Sequence, residues 1–148
     1  MTKENLLQSA NSLPTVAPSV VTEYAEKQDQ LVTEVNKIML QHPNLNDLIG
    51  AGNIEVMKTN HSNHAKFVAS IFEQPNPEIL VDSLLWVFRT YRSHGFQPDY
   101  FQVEIEAWLN VMPQILSPET FTAVQPLYNW FLVNIPTFTK ITDVQLKN

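Results

Sequence analysis

The chain has 148 residues, a formal net charge of -6 and no cysteine. The length is that of one ordinary domain, and the lack of cysteine excludes disulfides, thiolate metal sites, a cysteine nucleophile and a thioether-linked chromophore. An acidic chain without a basic block argues against nucleic acid or an anionic membrane as a partner. No apolar run reaches the roughly 18 residues of a membrane span, and the amino terminus lacks a secretory core, so we expect a cytoplasmic protein.

The first segment, residues 1–18, is polar and contains Pro14 and Pro18. Prolines in polar sequence indicate turns and loops rather than regular structure. We therefore predict a flexible amino-terminal arm, followed by a single domain over residues 19–148 without internal repeats.

Apolar residues recur at steps of three and four along the remaining chain, which is the spacing of amphipathic helices. A Ser-Pro-Glu signature at Ser117 marks the start of the last helix, which we expect to bend at Pro126 and to end at Pro136. No segment alternates like a strand, so the predicted class is all-α with about five to seven helices. The helical segments are predicted at residues 19–41, 44–49, 53–73, 77–94, 98–116 and from 118 onwards.

Two histidines, His61 and His64, lie on the apolar face of the helix predicted at 53–73. Histidines on a buried face need partners for their ring nitrogens, so both could be satisfied core residues. Their spacing of three could instead place both rings on one metal ion. A third ligand and the Glu-x-x-His pairing of helical carboxylate sites are absent, so we expect no metal. A tetrapyrrole pocket is the third interpretation.

Several short motifs follow one another along the chain. They are His42-Pro43-Asn44-Leu45-Asn46-Asp47-Leu48-Ile49, His64-Ala65-Lys66-Phe67-Val68, Gln97-Pro98-Asp99-Tyr100-Phe101, and Ser117-Pro118 with Ala123 and Tyr128. In order, they resemble the short third helix, the distal segment, the penultimate helix and the last helix of the globins, especially the globin domains of bacterial flavohaemoglobins. The resemblance runs from about residue 36 to residue 135 and implies a globin-like fold, with helices crossing steeply around a central pocket.

When the ligand-binding positions of globins are matched one by one to this sequence, the resemblance implies a pocket for haem or another ligand. Its candidate residues are His61, His64, Phe67, Val68, Tyr91 and His94.

The two positions that matter most for haem depart from the globin pattern. The phenylalanine that wedges against the porphyrin in globins is matched by Ile49. Counting back from Pro98 places Tyr91 in the proximal slot, whereas His94 fits only if the corner is three residues shorter. A tyrosinate can bind ferric iron when a nearby cation holds the phenolate. Tyr91 could equally be a core tyrosine, and His94 a helix-end residue favoured by the dipole.

These departures favour a non-catalytic, globin-like sensor or regulatory domain of bacterial signalling type, without a standard haem site. No cofactor is then expected, and a signalling protein or an apolar ligand would be the partner. The alternative is a haem globin that binds or senses a diatomic gas. In the first interpretation an apolar ligand or side chains would fill the pocket, the side chains being Phe67, Phe72, Trp86 and Trp108.

Nothing in the sequence indicates an enzyme, because no nucleophile motif, phosphate loop or metal triad is present. Glu104 and Glu106 lie two residues apart, so they point to different sides of their helix and form no carboxylate pair. The apolar side chains of Leu85, Trp86 and Trp130 exceed what one helix face can bury. We therefore predict a homodimer through the last two helices.

Overall fold

The structure, a computed structural model, describes residues 2–147. The part of the chain so described contains helices and no strands, which confirms the all-α class. Its seven helices are α1 (Lys3–Asn11), α2 (Pro18–Leu40), α3 (Leu45–Ile49), α4 (Ile54–Glu73), α5 (Pro77–Ser93), α6 (Pro98–Ile115) and α7 (Pro118–Lys147).

Proline and glycine set most of the helix boundaries. Gly50 and Gly95 take φ values of 83° and 107°, which side chains disfavour. Next to them, the Asn53 side-chain amide donates hydrogen bonds of 2.8 Å to the carbonyls of Ile49 and His94, so it ties the end of α3 to the end of α5. At the first position of a helix the backbone N–H has no partner within the helix. A proline there, which lacks this N–H, therefore loses no helical hydrogen bond. Four helices begin in this way, at Pro18, Pro77, Pro98 and Pro118.

The amino-terminal segment differs from its prediction. Residues 3–11 form α1 instead of an arm, and a capping box between Thr2 and Asn5 closes its start. Leu6 is fully buried, and the indole Nε1 of Trp130 donates a 2.8 Å hydrogen bond to Ser9 Oγ. Helix α1 therefore packs against α5 and α7 as part of the domain. Nine residues with only two buried side chains are too short for a clear periodic signal.

The carboxyl-terminal helix also differs, because α7 continues through Pro136 to Lys147. An internal proline removes one backbone hydrogen bond and costs about 3 kcal/mol, so contacts beyond it must compensate. Arg92 on α5 provides them: Nη1 donates to Thr142 Oγ1 at 2.8 Å, and Nη2 binds Asp143 Oδ1 at 2.5 Å. Phe138 is also buried. The prediction that the helix ends at Pro136 is wrong for this tertiary reason.

The helices pack around a gap between α4 and α5. Helix α2 packs against both α4 and α6, while α7 packs against α5 and α6. Helices α4 and α5 scarcely touch each other, and a cavity separates them. Among the described helices, none has both the length and the apolar character that crossing a membrane requires.

The faces on which the dimer prediction depended are mostly covered within the chain. Leu85 and Trp130 are buried, and α1 lies against the helices that carry them. Trp86 is different, since 55% of it is exposed. The homodimer stays a prediction, and of these three residues only Trp86 exposes apolar surface that could support it.

Candidate functional site

A cavity of about 500 Å³ lies between α4, α5, α6 and α7. Its walls are mainly aromatic and aliphatic, as in pockets for small molecules. The apolar lining residues are Phe67, Leu84, Trp86, Val87, Phe88, Phe101, Ile105, Phe131, Ile135 and Phe138.

The polar lining residues are few, and the charged ones share one sign. The acidic residues Asp82 and Glu104 line the cavity, and no lysine or arginine does so among the described residues. Asp82 is exposed and binds Lys3 at 2.6 Å, whereas Glu104 is only 4% exposed. The other polar lining residues are Asn60, Asn63, His64, Ser83 and Tyr91.

Glu104 is the buried acid of the site. The indole Nε1 of Trp108 donates to its Oε2 at 3.3 Å, and the side-chain amide of Asn60 donates to its Oε1 at 3.4 Å. Burial raises the pKa of Glu104 to about 7, although these two hydrogen bonds oppose the rise. The carboxyl can therefore change its charge near neutral pH while it lines the cavity.

His61 lies behind the cavity wall, fully buried. Its Nδ1 is 2.6 Å from Asn36 Oδ1, and its Nε2 is 3.0 Å from the Tyr100 hydroxyl. Burial lowers the pKa of His61 to about 3, so the ring is neutral. In the tautomer that fits these contacts, Nδ1–H donates to Asn36 and the Tyr100 hydroxyl donates to Nε2. The Asn60 amide donates to the same hydroxyl at 2.8 Å.

His64 lines the cavity itself. Its Nε2 lies 2.9 Å from the hydroxyl of Tyr128, and that hydroxyl lies 2.6 Å from the hydroxyl of Tyr24. The ring also packs against Trp108, with 4.7 Å between ring centroids. Burial, and to a smaller extent the neighbouring His61, lowers the pKa of His64 to about 3. Both histidines are therefore uncharged and hydrogen-bonded at neutral pH.

The structure separates the predicted site residues into two sets. His64, Phe67 and Tyr91 line the cavity. His61 and Val68 are buried outside its lining, and His94 is exposed at the end of α5. Of the side chains expected to fill the pocket, Phe67 and Trp86 border it, while Phe72 and Trp108 lie elsewhere in the core.

Sequence reasoning missed Glu104 and Asn60 as site residues. The signal for Glu104 was available, because it lies three residues after Phe101 and four before Trp108 on the inward face of α6. The spacing from Glu106 excludes a carboxylate pair, but it leaves a single buried acid possible at position 104. Asn60 immediately precedes His61 and lies outside the predicted apolar face of its helix, so nothing in the sequence marks it as a site residue.

The donors for a haem iron fit this cavity poorly. His94 does not line it. Tyr91 does, but burial and then the Glu104 carboxylate raise the pKa of Tyr91, which disfavours the phenolate that iron would need. Arg92, the nearest cation in sequence, is engaged by Thr142 and Asp143. Within residues 2–147, no group of three His, Cys, Asp or Glu residues could hold a metal ion.

No known protein-family model, curated protein or solved structure matches this chain significantly. The globin resemblance therefore depends on the order of the sequence motifs alone.

Proposed function

We propose that this protein is a non-catalytic, globin-like sensor or regulatory domain that binds an apolar small molecule in the cavity between α4 and α7. The observation that carries the proposal is the cavity. Its volume of about 500 Å³ lies within the range of small-molecule sites, and its walls are apolar with a few convergent polar groups.

The position of the cavity supports the globin-like part of the proposal. The resemblance implies a pocket between the helix with the distal segment and the helix with the proximal position. Those helices are α4, which carries His64, and α5, which carries Tyr91, and both residues line the cavity. The cavity is thus where a globin-like fold would hold its ligand.

Two buried hydrogen-bond chains support a sensing role. One runs from His64 through Tyr128 to Tyr24 on α2. The other runs from Asn60 through Tyr100 and His61 to Asn36, also on α2, and is described above. A ligand that moves His64 or Asn60 must either keep these buried bonds or leave a polar group unsatisfied, at a cost of about 1–3 kcal/mol. Ligand binding would therefore alter the hydrogen bonds of Tyr24 and Asn36 on α2. A signalling partner that contacts α2 could respond to that change.

A binding role suits the polar groups better than a catalytic one. A buried carboxyl with a raised pKa also occurs in catalytic acids and bases. Here neither an activated nucleophile nor a metal group accompanies Glu104 in the described part of the cavity, and His64 is neutral and bonded to Tyr128.

The test uses the uncharged dye Nile red, whose fluorescence rises in apolar sites. The wild-type protein should bind the dye, and Ile135→Trp, which fills the cavity from α7, should weaken binding about tenfold or more. Val133→Trp is the matched control, because Val133 is 72% exposed on the same helix. Absence of dye binding, or equal effects of the two variants, would overturn the proposal.

Haem is the alternative ligand, favoured only by the placement of His64 and Tyr91 on the cavity wall. Haemin titration of the wild type, Tyr91→Phe, His64→Ala and His94→Ala proteins distinguishes it. A sharp Soret band lost in one of these variants would establish a haem globin and name the axial residue. The apolar-ligand proposal expects haemin to bind no more tightly than to an unrelated protein.

A further inference from the structure

The charge of the cavity points to the kind of ligand it takes. We propose that the ligand is an apolar amine, whose protonated nitrogen binds the carboxylate of Glu104 inside the cavity. This inference depends on the proposed function, namely that the cavity is a ligand site.

The first argument is the sign of the charged groups along the wall. An anionic ligand, such as a fatty acid, would need a cationic partner, and none is present among the described lining residues. Lys3 is the nearest cation to the exposed Asp82, and the two already form an ion pair. Glu104 is left as the buried acid among the lining residues, and no cation pairs with it in the described part of the chain.

The second argument is the unused capacity of the Glu104 carboxylate. Two oxygens offer about four acceptor positions, and only two hydrogen bonds reach them, at 3.3 and 3.4 Å. Both bonds are longer than charge-assisted ones, which are about 2.7–2.9 Å. His61 Nε2 lies 4.0 Å away, but the ring is neutral and bonded to Tyr100. A donor that enters from the cavity would find free acceptor positions.

The third argument is the cost of placing a carboxyl in an apolar wall. A buried acid without a cation is destabilising, and an apolar side chain of similar size would remove that cost. A ligand ammonium would supply the missing partner and so explain why an acid stands at this position.

The aromatic part of the wall suits the same ligand. Phe88 stacks on Phe101 with 3.9 Å between ring centroids, and Phe138 lies 5.2 Å from Phe88. Aromatic faces accept both an apolar body and a cation. The ligand class is therefore an amine attached to an aromatic or aliphatic skeleton.

The experiment compares three ligands with one skeleton by calorimetry at pH 8: 2-(1-naphthyl)ethylamine, 2-(1-naphthyl)ethanol and 1-naphthaleneacetic acid. In the wild type, the amine should bind about tenfold more tightly than the alcohol, and the acid should bind most weakly. Glu104→Gln should abolish the preference for the amine and leave alcohol binding within about twofold. Glu106→Gln, two residues along the same helix and exposed, should retain the preference.

A second measurement on the wild type does not depend on the folding of a variant. The affinity for the amine should fall below about pH 7, where Glu104 takes up a proton. The affinity for the alcohol should not fall in this way, because the alcohol forms no ion pair with Glu104. The neighbouring His61, His64, Tyr91 and Tyr100 keep their charges in that range.

The outcomes separate the two proposals. Equal binding of amine and alcohol, tightest binding of the acid, or an amine preference that survives Glu104→Gln would overturn the amine inference and leave the apolar site intact. Failure of all three ligands and of Nile red to bind would overturn the proposed function and this inference with it.

Discussion

His64 on α4 and Tyr128 on α7 are joined by a hydrogen bond of 2.9 Å between Nε2 and the hydroxyl oxygen. The same hydroxyl lies 2.6 Å from that of Tyr24 on α2, so one buried chain connects three helices. The chain begins at the cavity wall and ends in the core. Because His64 Nε2 is hydrogen-bonded to Tyr128, it is not free to bind a metal ion. His64 is therefore better described as a residue of the cavity wall than as a metal ligand.

Removal of the central hydroxyl should destabilise the protein. Tyr128→Phe leaves His64 Nε2 and the Tyr24 hydroxyl without their shared partner, so we expect a loss of about 1–3 kcal/mol in the free energy of unfolding. Urea unfolding at pH 7 measures it. Tyr91→Phe is the control, because it also removes one tyrosine hydroxyl but Tyr91 takes no part in the hydrogen bonds that join His64, Tyr128 and Tyr24. Equal losses in the two variants would mean that the hydrogen bonds of the Tyr128 hydroxyl add no more to the free energy of unfolding than the Tyr91 hydroxyl does.

Glu104 should make stability decrease as the pH rises. Its pKa is raised from 4.5 to about 7 in the folded state, so folding favours the protonated form. That stabilisation is complete below about pH 4.5 and is lost as the pH rises to about 7, a change of about 3 kcal/mol. Glu104→Gln stays uncharged at every pH. Urea unfolding should therefore show Glu104→Gln gaining about 3 kcal/mol on the wild type between pH 4.5 and pH 8.

The control for this pH profile is Glu106→Gln, which changes an exposed acid on the same helix. A difference between Glu104→Gln and the wild type that does not vary with pH would refute the assignment of Glu104 as a buried acid whose pKa is raised on folding.

His64 should affect stability in the opposite direction from Glu104, because it should lower the free energy of unfolding as the pH falls. Its pKa falls from 6.5 to about 3 on folding, so the unfolded chain takes up a proton that the folded one refuses. Stability contributed by the neutral ring is complete above pH 6.5 and is lost as the pH falls. Between pH 6.5 and 4.5, His64→Gln should lose about 2 kcal/mol less than the wild type. A matching effect from His94→Gln, at an exposed helix end, would contradict this prediction.

Helix α1 should contribute to global stability through Leu6. Leu6→Ala removes a fully buried side chain and should cost about 2–5 kcal/mol. Leu40→Ala is the matched control, because Leu40 is 44% exposed. Thermal or urea unfolding measures both variants. Equal, small losses would mean that α1 is only loosely attached to the domain.

Most of the fold could be predicted from local signals in the sequence. Helices α2 to α6 begin and end within one or two residues of their predicted limits, because prolines and glycines mark the boundaries. The two errors lie at the ends of the chain. Helix α1 is short and its periodicity weak, while α7 crosses Pro136 because Arg92 holds its last turns from α5. Such tertiary contacts leave no local trace.

The candidate site was only partly predictable. Helical phase placed His64 and Tyr91 on inward faces, and the globin resemblance added Phe67; all three residues line the cavity. The same phase would have placed Glu104 there, but an acid on an apolar face is noticed only when its burial is known. His94 was misleading, because one turn beyond Tyr91 the helix already ends in solvent.

The hydrogen bond between Ser9 and Trp130 has a consequence for how the chain folds. Its partners are 121 residues apart in sequence. A helix as short as α1 is marginal alone, so it forms together with its docking onto α5 and α7. During synthesis α1 leaves the ribosome before α5 and α7, the helices against which it packs. Its docking is then a late folding step.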